Sequence, residues 1–434
     1  MDRPRRCLGS EGREDCDVKP FWKNNDCRLY QGDNIKVLKR LEAGSVHTII
    51  TSPPYWNLRD YQTGGDQLGI EDDYRDYIAK LVALGRELKT VLHDSGTFWL
   101  NLGDTYSGHN DSSQKWRSGN ESKNHGNSNK NGAPKVQGMS GKNLMGIPWR
   151  VAFALQDDGW ILRSAFPWVK RGCMPDSATD RPSSAVEYWF MLAKQPKYFY
   201  DQVAVRPKAV SLPHAMGNKK APSVGFGGAN NIGDVNRIVG DGTRNLRNAD
   251  LWFQSVDTPH GLTGVGDEIV GTDSSFEPLR IEHFAAFATK MIKPFVLAGS
   301  SAKGCCPGCR SPWNRIVEKQ RESTRPALDS KVEGKTASEF GNRDPARHVT
   351  KMKTAGWEPS CKCDAGEPEP CTILDPFAGT CTVGVVAQRH GRKFIGIDLS
   401  DVYLEMGKQR LLSRGDYGKS VVKKTEGGFG FFKQ

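Results

Sequence analysis

The spacing of apolar residues in the N-terminal part of the chain predicts alternating strands and helices. Short apolar runs over residues 27–30 and 46–50 predict two strands. Between them, helical spacing is shown by Ile35, Leu38 and Leu41. One face of a longer amphipathic helix follows at Ile78, Leu81, Val82, Leu88, Val91 and Leu92. With a buried strand over residues 96–102, this alternation indicates an α/β domain with a largely parallel sheet.

The middle of the chain is less regular. Residues 107–143 are rich in Gly, Asn, Ser and Lys and hold six Lys or Arg against two Asp or Glu, which predicts a flexible basic loop. Such a loop is either a solvated insertion without a role or a segment that orders on a nucleic acid. Residues 205–280 have weak periodicity, and their Gly, Asn and Arg content suits a variable recognition region better than a core.

Regular patterns return on either side of the region 205–280. Before it, a helix begins near Pro148, because proline suits a first helical turn. Strands are then predicted over residues 160–164, 166–170 and 187–194. After it, a helix over residues 283–298 precedes a cysteine-containing segment. The C-terminal part predicts strand, helix, strand and helix over residues 372–374, 382–391, 394–398 and 402–412.

Composition and charge narrow the class of protein. The chain has 434 residues, 37% hydrophobic and 26% charged, which is typical of two or three globular domains or of one domain with large insertions. Its formal net charge of +11 favours a polyanionic partner. The sequence has no apolar run of membrane-spanning length and no apolar signal segment, so we expect a soluble protein of the reducing cytoplasm, without membrane contact. Its eleven cysteines are therefore not expected to form a disulfide scaffold.

A glycine-containing loop lies between the first strand and helix of the C-terminal unit. It reads Asp-Pro-Phe-Ala-Gly-Thr-Cys-Thr from Asp375 to Thr382, and Asp398 ends the next strand nineteen residues after Gly379. Glycine allows a ligand to approach the backbone, the helix N-terminus offers N–H groups, and a carboxylate can bind ribose hydroxyls. Asp375 would repel a phosphate, so a cationic ligand with a ribose, such as S-adenosylmethionine, fits better. A purely structural turn is the alternative.

A second motif, Ser52-Pro53-Pro54-Tyr55, follows the predicted strand at residues 46–50. Two prolines fix the backbone and remove two donors, which leaves rigid carbonyl acceptors. Such acceptors suit an exocyclic amino group: Ser52 Oγ and the Pro53 carbonyl would accept its N–H groups and favour a pyramidal nitrogen that can attack a methyl donor. Tyr55 would stack on a base that has been flipped out of a duplex. A rigid turn with a buried tyrosine is the alternative.

Four cysteines have the spacing of a metal site. Cys306 and Cys309 form one pair, and Cys361 and Cys363 form a second that begins fifty-two residues after Cys309. Four thiolates would hold a structural zinc ion in tetrahedral geometry, because they leave no open coordination position. Cys305 is then spare, and the segment 319–353 would be a loop tied at its base by the metal. Free thiols or a redox pair are the alternatives.

These motifs resemble the amino-methyltransferases of DNA in the permuted β arrangement, in which the catalytic motif precedes the cofactor motif. The resemblance covers most of the chain and is strongest to site-specific members, especially those of phages and prophages. Further matching segments are residues 32–34, 96–104, 147–150, 174–176, 179–182 and 283–285. The resemblance implies an α/β, Rossmann-like fold of the S-adenosylmethionine-dependent methyltransferases with a mostly parallel sheet, a recognition region and a small zinc-binding insertion.

The resemblance also implies roles for particular residues. The base pocket consists of Ser52, Pro53, Pro54 and Tyr55. The cofactor is bound by Asp33 near its adenine, by His283 and Phe284 near its methionine part, by Asp398 on its ribose, and by Asp375, Phe377, Gly379, Thr380 and Thr382 of the loop. Cys381 stands where the family usually has a second glycine, and a side chain there could narrow the approach of the cofactor.

The implied domain order has an interrupted methyltransferase core. Its parts are a polar leader (1–25), the catalytic half (26–204), the target-recognition region (205–280), the cofactor-binding half (281–303 and 364–415), the zinc-binding insertion (304–363) and a tail (416–434).

The first residue of the catalytic motif bears on the target base. Because Ser52 rather than Asp or Asn opens the motif, the chain is more similar to the cytosine-N4 subgroup than to the adenine-N6 subgroup. We therefore expect methylation of cytosine N4 in a specific sequence of double-stranded DNA, with adenine N6 as the alternative and a cognate restriction endonuclease as a candidate partner. Other hypotheses are an RNA or protein amino-methyltransferase, and a zinc-containing DNA-binding protein in which Cys381 has weakened catalysis.

Overall fold

A computed structural model describes most of the chain. It covers residues 19–58, 67–108, 136–169, 179–182, 184–206, 289–323 and 348–413. Several sequence-based predictions lie outside these ranges. They concern most of the leader and of the basic loop, nearly all of the recognition region, the C-terminal tail, and the side chains of His283 and Phe284.

The described residues form ten strands and six α-helices. In chain order they are β1 (Trp22–Lys23), β2 (Cys27–Gln31), α1 (Asn34–Leu38), β3 (Val46–Thr51), α2 (Tyr74–Val91), β4 (Leu92–Leu102), α3 (Ile147–Asp157), β5 (Ile161–Val169), β6 (Val186–Ala193), α4 (Thr289–Gly299), β7 (Trp313–Ser323), β8 (His348–Pro359), β9 (Thr372–Asp375), α5 (Thr382–Arg389), β10 (Lys393–Asp398) and α6 (Asp401–Leu412). A single 3₁₀ turn spans Val203–Val205.

The chain divides into two compact units, which are considered separately. The first consists of Met1–Asp94, Asp104–Trp160 and Thr372–Gln434. The second consists of Ser95–Gly103 and Ile161–Cys371.

The sheet of the first unit is mostly parallel. Its strand order is β1-β2-β10-β9-β3, and β2, β10, β9 and β3 pair in parallel while β1 pairs antiparallel with β2. Parallel strands present their carboxyl ends at one edge, where open α/β sheets bind ligands. Four strand ends meet there, and each strand either ends in a predicted functional residue or is followed by a segment that carries one.

The helices of the first unit begin and end where local sequence indicates. Asp73 caps α2 by accepting a hydrogen bond from the backbone N–H of Arg75, and Ser400 caps α6 in the same way with Tyr403. Pro148 lies in the first turn of α3, as predicted. Along α2 the buried residues recur at helical spacing, at Tyr74, Tyr77, Leu81, Leu84, Gly85, Leu88 and Val91.

The second unit contains antiparallel strands. Its part of β4 pairs with β6, and β6 pairs with β5. The two strands predicted over 160–164 and 166–170 are one strand with a register shift between Leu162 and Ser164, since a bulge interrupts the alternation without ending the pairing. Phe295 of α4 packs against these strands, with ring centroids 4.6 Å from Trp99 and 4.8 Å from Trp189.

The segment that follows the first cysteine pair differs from the predicted loop. Strands β7 and β8 form an antiparallel two-stranded ribbon that pairs Trp313 with Pro359 at one end and Ser323 with His348 at the other. The prediction of a loop over 319–353 was therefore wrong for its described residues, 319–323 and 348–353, which all lie in these strands. Arg315 anchors the base of the ribbon: its guanidinium lies 2.8 Å from the buried carboxylate of Asp201 and 4.4 Å from the ring centroid of Trp357.

Within the described ranges, no helix is both long enough and apolar enough to cross a membrane.

Candidate functional site

The Ser-Pro-Pro-Tyr segment begins directly after β3 at the carboxyl edge of the first unit's sheet. Thr51, the last residue of β3, is fully buried, and its hydroxyl donates a 2.6 Å hydrogen bond to Oδ1 of Asp375, the last residue of the neighbouring strand β9. Ser52 Oγ donates to the phenol oxygen of Tyr55 over 3.1 Å. The structure therefore brings the start of the catalytic motif and the start of the cofactor loop together.

The Pro54 carbonyl has a hydrogen-bond donor within the protein. The hydroxyl of the buried Tyr77 on α2 donates to the Pro54 carbonyl over 2.8 Å. A hydroxyl carries one donor and two acceptor positions, so Ser52 Oγ, which donates to Tyr55, keeps acceptor capacity for a ligand N–H. That Ser52 Oγ and the Pro53 carbonyl act as a pair of acceptors stays a prediction. Tyr77 was missed by sequence reasoning, because it looks like any other apolar position of α2.

The turn after Tyr55 is held by residues just beyond the segment 59–66. The backbone N–H of Asn57 donates to the Gly69 carbonyl over 2.7 Å, and the Trp56 indole donates to the Glu71 carbonyl over 2.8 Å. Gly69 has a φ of +95°, and a Cβ built on it would lie 2.9 Å from the Tyr55 carbonyl oxygen. Only glycine therefore fits here. The Gly69 and Glu71 contacts hold the backbone that carries Tyr55.

The cofactor loop is built around the buried carboxylate of Asp375 and the half-buried side chain of Asp398. Asp375 Oδ1 accepts from the backbone N–H of Phe377 over 3.1 Å as well as from Thr51. Asp398 Oδ2 accepts from the N–H of Gly379 over 2.8 Å, and its Oδ1 accepts from the N–H of Ser400 over 2.9 Å. Each carboxylate thus fixes the backbone of a loop that follows a strand end.

Both carboxylates resist ionisation because each is at least partly buried. Burial raises the pKa of Asp375 to about 7; the nearby charge of Asp398 adds to this rise, while hydrogen bonds from Thr51 and Phe377 oppose it. Burial also raises the pKa of Asp398, although backbone N–H groups, including that of Gly379, act in the opposite direction. The edge of the sheet therefore holds two acids whose ionised forms a bound cation would stabilise.

Asp33 joins these acids at the same edge. It follows β2, whose last residue Gln31 pairs with Asp398 in the parallel sheet. Its carboxylate caps α1 by accepting from the N–H of Lys36 over 2.8 Å. Asp33, Asp375, Gly379 and Asp398 thus lie at or just after the ends of three neighbouring strands, β2, β9 and β10.

The two threonines of the loop make their contacts inside the protein. One guanidinium nitrogen of the buried Arg410, on α6, donates to the Thr380 carbonyl and hydroxyl over 2.7 and 2.8 Å, and to the Thr382 hydroxyl over 2.9 Å. These side chains therefore shape the loop through Arg410. Sequence reasoning missed Arg410, since an arginine near the end of a helix usually reads as a solvated surface residue.

Cys381 has a left-handed backbone conformation, with φ at 59° and ψ at 39°, and is fully buried. Glycine adopts this conformation without strain, whereas a cysteine does so only at a cost. The thiol packs against Gly407 of α6. The sulfur atom of Cys381 therefore occupies the space between α5 and α6. Burial, followed by the charges of Asp375 and Asp398, raises the pKa of this thiol far above its usual range.

In the second unit, the four predicted metal ligands come together. The sulfur atoms of Cys306, Cys309, Cys361 and Cys363 all lie within 4.8 Å of one another. Partial burial acts to raise the pKa of Cys309, but hydrogen bonds with Ser311 and the neighbouring thiols outweigh it and lower this pKa to about 6. Hydrogen bonds with Cys309 and Cys361 raise the pKa of Cys363 to about 12. What favours a metal is therefore the convergence of four sulfurs, the donor set that zinc prefers in structural sites.

Comparison with known proteins identifies the family of this chain. Residues 46–305 and 365–409 match the N6_N4_Mtase family model, whose description is DNA methylase. The chain belongs to this family of DNA methylases. The match contains the Ser52 motif and the cofactor loop, so this DNA amino-methyltransferase has the Rossmann-like fold of the S-adenosylmethionine-dependent methyltransferases, with a mostly parallel sheet in its first unit.

The methyltransferase has relatives over almost its whole length. It is 31% identical to the type II methyltransferase M.Cfr9I of Citrobacter freundii, over 89% of this chain and 88% of the relative. It is 30% identical to M.SmaI of Serratia marcescens, over 95% and 96% of the two chains. Among solved structures, PvuII DNA methyltransferase (cytosine-N4-specific) matches 90% of this chain and 88% of its own, with 14% identity and a TM-score of 0.46.

The residues at the sheet edge fit S-adenosylmethionine, the methyl donor of such an enzyme. Gly379 has a φ of +47° and lacks a side chain that would cover the loop. Asp375 and Asp398 provide negative charge for a cationic ligand, and Asp33 follows the strand whose last residue, Gln31, pairs with Asp398. The chemistry of this donor set therefore suits a ligand that combines a positive charge with a nucleoside.

Proposed function

We propose that the enzyme transfers a methyl group from S-adenosylmethionine to the exocyclic N4 amine of cytosine in a specific sequence of double-stranded DNA. The observation that carries this proposal is the hydrogen bond from Ser52 Oγ to the phenol oxygen of Tyr55. In this bond the Ser52 hydroxyl donates its proton, so the lone pairs of Ser52 Oγ can accept a hydrogen bond from an amine N–H. Tyr77 holds Pro54 so that the preceding carbonyl, that of Pro53, stays in a rigid position.

The target base would leave the duplex before reaction. Flipping costs a few kcal/mol, which stacking on the half-buried Tyr55 ring offsets in part. Bound S-adenosylmethionine supplies an electrophilic methyl group. Ser52 Oγ and the Pro53 carbonyl accept the two amine N–H groups and direct the nitrogen lone pair toward that methyl group. A nitrogen–carbon bond forms as the carbon–sulfur bond breaks, its electron pair stays on sulfur, and one amine proton leaves to solvent.

Cytosine is favoured over adenine because the motif opens with Ser52 rather than with an acid or an amide. A hydroxyl accepts a hydrogen bond without adding a negative charge beside the base. The test is mass spectrometry of nucleosides from DNA treated with the enzyme and methyl-labelled cofactor. Label in N4-methylcytosine supports the proposal, whereas label in N6-methyladenine, or in RNA alone, would overturn the choice of substrate.

Variants test the assignment of the pocket. We expect Ser52→Ala and Tyr55→Ala to lower label transfer by about tenfold or more, since each removes a contact made to the reacting base. Ser45→Ala, in the turn before β3, is the matched control for loss of a serine hydroxyl. Undiminished transfer by Ser52→Ala or Tyr55→Ala would rule out the proposed pocket.

We further propose that Cys306, Cys309, Cys361 and Cys363 bind one structural zinc ion. Their mutual separation within 4.8 Å supports this, and four protein thiolates leave no position for a substrate.

The type II designation of M.Cfr9I and M.SmaI supports a further proposal, that this enzyme protects cytoplasmic DNA against a cognate restriction endonuclease.

The hypothesis of lost catalysis rested on Cys381. The thiol of Cys381 is packed between α5 and α6, and this observation favours an active enzyme.

A further inference from the structure

The strand that carries the base pocket and the strand that carries the cofactor loop are direct neighbours. Strands β3 and β9 pair in parallel, with Thr48 beside Ile373 and Ile49 beside Leu374. Each strand ends immediately before a functional loop, with Thr51 before Ser52 and Asp375 before the segment that leads to Gly379. The backbone pairing ends before these loops begin.

One side-chain hydrogen bond continues the connection past the end of the pairing. The Thr51 hydroxyl donates to Asp375 Oδ1 over 2.6 Å, and both side chains are buried, with 0% and 2% of their surface exposed. The same Oδ1 accepts from the N–H of Phe377, two residues into the cofactor loop. A single carboxylate oxygen is therefore shared between the strand that leads to Ser52 and the backbone of the cofactor loop.

The surroundings of Asp375 make the hydrogen bond from Thr51 important for the ionisation of the Asp375 carboxylate. The charged and titratable groups that act in this region are Asp398 at the end of β10, Cys381 before α5, Arg410 on α6 and Cys27 at the start of β2. Asp398 disfavours the ionised form of Asp375, whereas the hydrogen bonds from Thr51 and Phe377 favour it. The Thr51 hydroxyl thus provides one of the two hydrogen bonds that oppose the effect of burial on the pKa of Asp375.

We propose that Thr51 is a positioning residue for methyl transfer, which sets the separation between the base pocket and the cofactor loop through its hydrogen bond to Asp375. This inference rests on the proposed function. Ser52 is joined to Thr51 by one peptide bond, so a displacement of Thr51 reaches the base pocket directly. Transfer between two bound groups is sensitive to their alignment, and a misplacement of about 1 Å can cost on the order of a hundredfold in rate.

Thr51→Val removes the hydroxyl and keeps the β-branched shape, while Thr51→Ser keeps the hydroxyl and loses a methyl group. We expect Thr51→Val to lower the single-turnover rate of methyl transfer, measured at saturating S-adenosylmethionine and DNA, by about tenfold or more, with the dissociation constant for DNA within about threefold of the parent protein. Thr51→Ser should retain a rate within about threefold of the parent. Single-turnover conditions exclude product release from the measured rate.

Two further variants separate positioning from stability. Thr48→Val removes a fully buried hydroxyl from the same strand, three residues earlier, and should leave the rate per folded molecule within about threefold. Thr51→Ala removes both the hydroxyl and the methyl group of Thr51, and should show the same slow transfer with retained DNA binding. Concentrations of folded protein are set by calorimetric titration with S-adenosylmethionine, so that partial unfolding does not lower the rate.

The inference is overturned if Thr51→Val transfers methyl groups within threefold of the parent rate, or if Thr51→Ser is slowed as much as Thr51→Val. An equally large loss of rate in Thr48→Val would also overturn it, because the effect would then come from general destabilisation of the protein. Failure of the proposed function is a different result: the parent protein would bind cofactor without labelling N4 of cytosine in any DNA tested.

Discussion

The thiol of Cys381 and the absent side chain of Gly407 form a complementary pair. Cys381 begins α5 with a left-handed backbone, and a Cβ built on Gly407 of α6 would collide with its Sγ and lie 3.1 Å from its Cβ. The cofactor loop can therefore hold a cysteine only because the facing residue has no side chain. The cysteine at 381, where the resemblance predicts a glycine, is accommodated by packing between two helices.

This pairing predicts a compensating double substitution. Gly407→Ala forces a methyl group into occupied space, and we expect it to lower the free energy of unfolding by about 1–3 kcal/mol and to weaken cofactor binding. Cys381→Gly empties that space and suits the positive φ, so Cys381→Gly with Gly407→Ala should recover most of both losses. Urea unfolding and calorimetry give the two quantities. If the double variant is as unstable as the sum of the single variants, the two residues are not coupled.

Arg410 predicts a remote effect on cofactor binding. Its guanidinium makes three hydrogen bonds to Thr380 and Thr382 in a buried site. Arg410→Met removes them and leaves the Thr380 carbonyl and both hydroxyls without these donors, so we expect a loss of about 2–3 kcal/mol in stability and at least a tenfold weaker affinity for S-adenosylmethionine. Calorimetry at a temperature where the variant is folded measures the affinity.

The control for Arg410→Met is Lys408→Met on the same helix. Lys408 forms a 3.0 Å ion pair with the partly exposed Glu405, which contributes little to stability. Its loss should leave the affinity for S-adenosylmethionine within about twofold of the parent. Equal effects of the two substitutions would show that α6 responds to any loss of charge.

Asp375 predicts a component of stability that falls as pH rises. Its folded-state pKa of about 7 lies above its ordinary value, so between about pH 4 and 7 the folded protein holds a proton that the unfolded chain has released. The free energy of unfolding therefore decreases through this range, and this one group contributes at most about 4 kcal/mol to the decrease. Asp375→Asn cannot ionise and should lack this component.

The measurement is urea unfolding of both proteins at several pH values between 5 and 8. The stability of Asp375→Asn relative to the parent should rise with pH over this range. A difference that is constant with pH would show that Asp375 titrates near its ordinary pKa in the folded protein.

The cysteine cluster predicts a bound metal that is independent of catalysis. Purified protein should contain about one zinc ion per chain, and Cys309→Ser should lose it and unfold at a lower temperature. Cys305→Ser is the control, because Cys305 lies outside the group of four sulfurs. Zinc released by a thiol-modifying reagent can be measured with a coloured chelator. Retention of zinc by Cys309→Ser, or its absence from the parent protein, would exclude the four-thiolate site.

The basic segment 107–143 predicts a salt-dependent contribution to DNA binding. Replacing Lys115, Lys123, Lys130 and Lys135 by Gln removes four of its six positive charges. If each contacts a phosphate, the slope of log affinity against log salt should fall by about 0.9 per lysine, with cofactor affinity unchanged. Fluorescence anisotropy across a salt series measures the slope. An unchanged slope would mean that this segment is a solvated insertion.

Much of the first unit could be predicted from the sequence because its signals are local. Strands β2, β3, β9 and β10 follow from short apolar runs, and α2 follows from helical periodicity. The Ser52 motif and the loop from Asp375 to Thr382 are contiguous, so their residue types and order could be interpreted without knowing what lies across the sheet. The cysteine spacing likewise predicted a cluster that the fold brings together.

The sequence patterns gave wrong predictions of secondary structure where the pairing of a strand with its neighbour decides the structure. In the sequence, the bulge within residues 160–170 looks like the end of one strand and the start of another. In the structure, β6 pairs with β5 on both sides of this bulge. Strands β7 and β8 carry mixed polar residues, which the composition assigns to a loop. Their backbone groups are satisfied by pairing with each other, and that pairing depends on residues 25 or more positions apart.

The local sequence thus determined the family, the two motifs and the acids at the strand ends. The tertiary structure alone decided how these parts are held, because the supporting contacts join distant segments: Tyr77 reaches Pro54 across 23 residues, Arg410 reaches Thr380 across 30, and Thr51 reaches Asp375 across 324. No periodicity or motif encodes such distances. They follow from the order of parallel strands, which places β3 beside β9 and so brings the base pocket next to the cofactor loop.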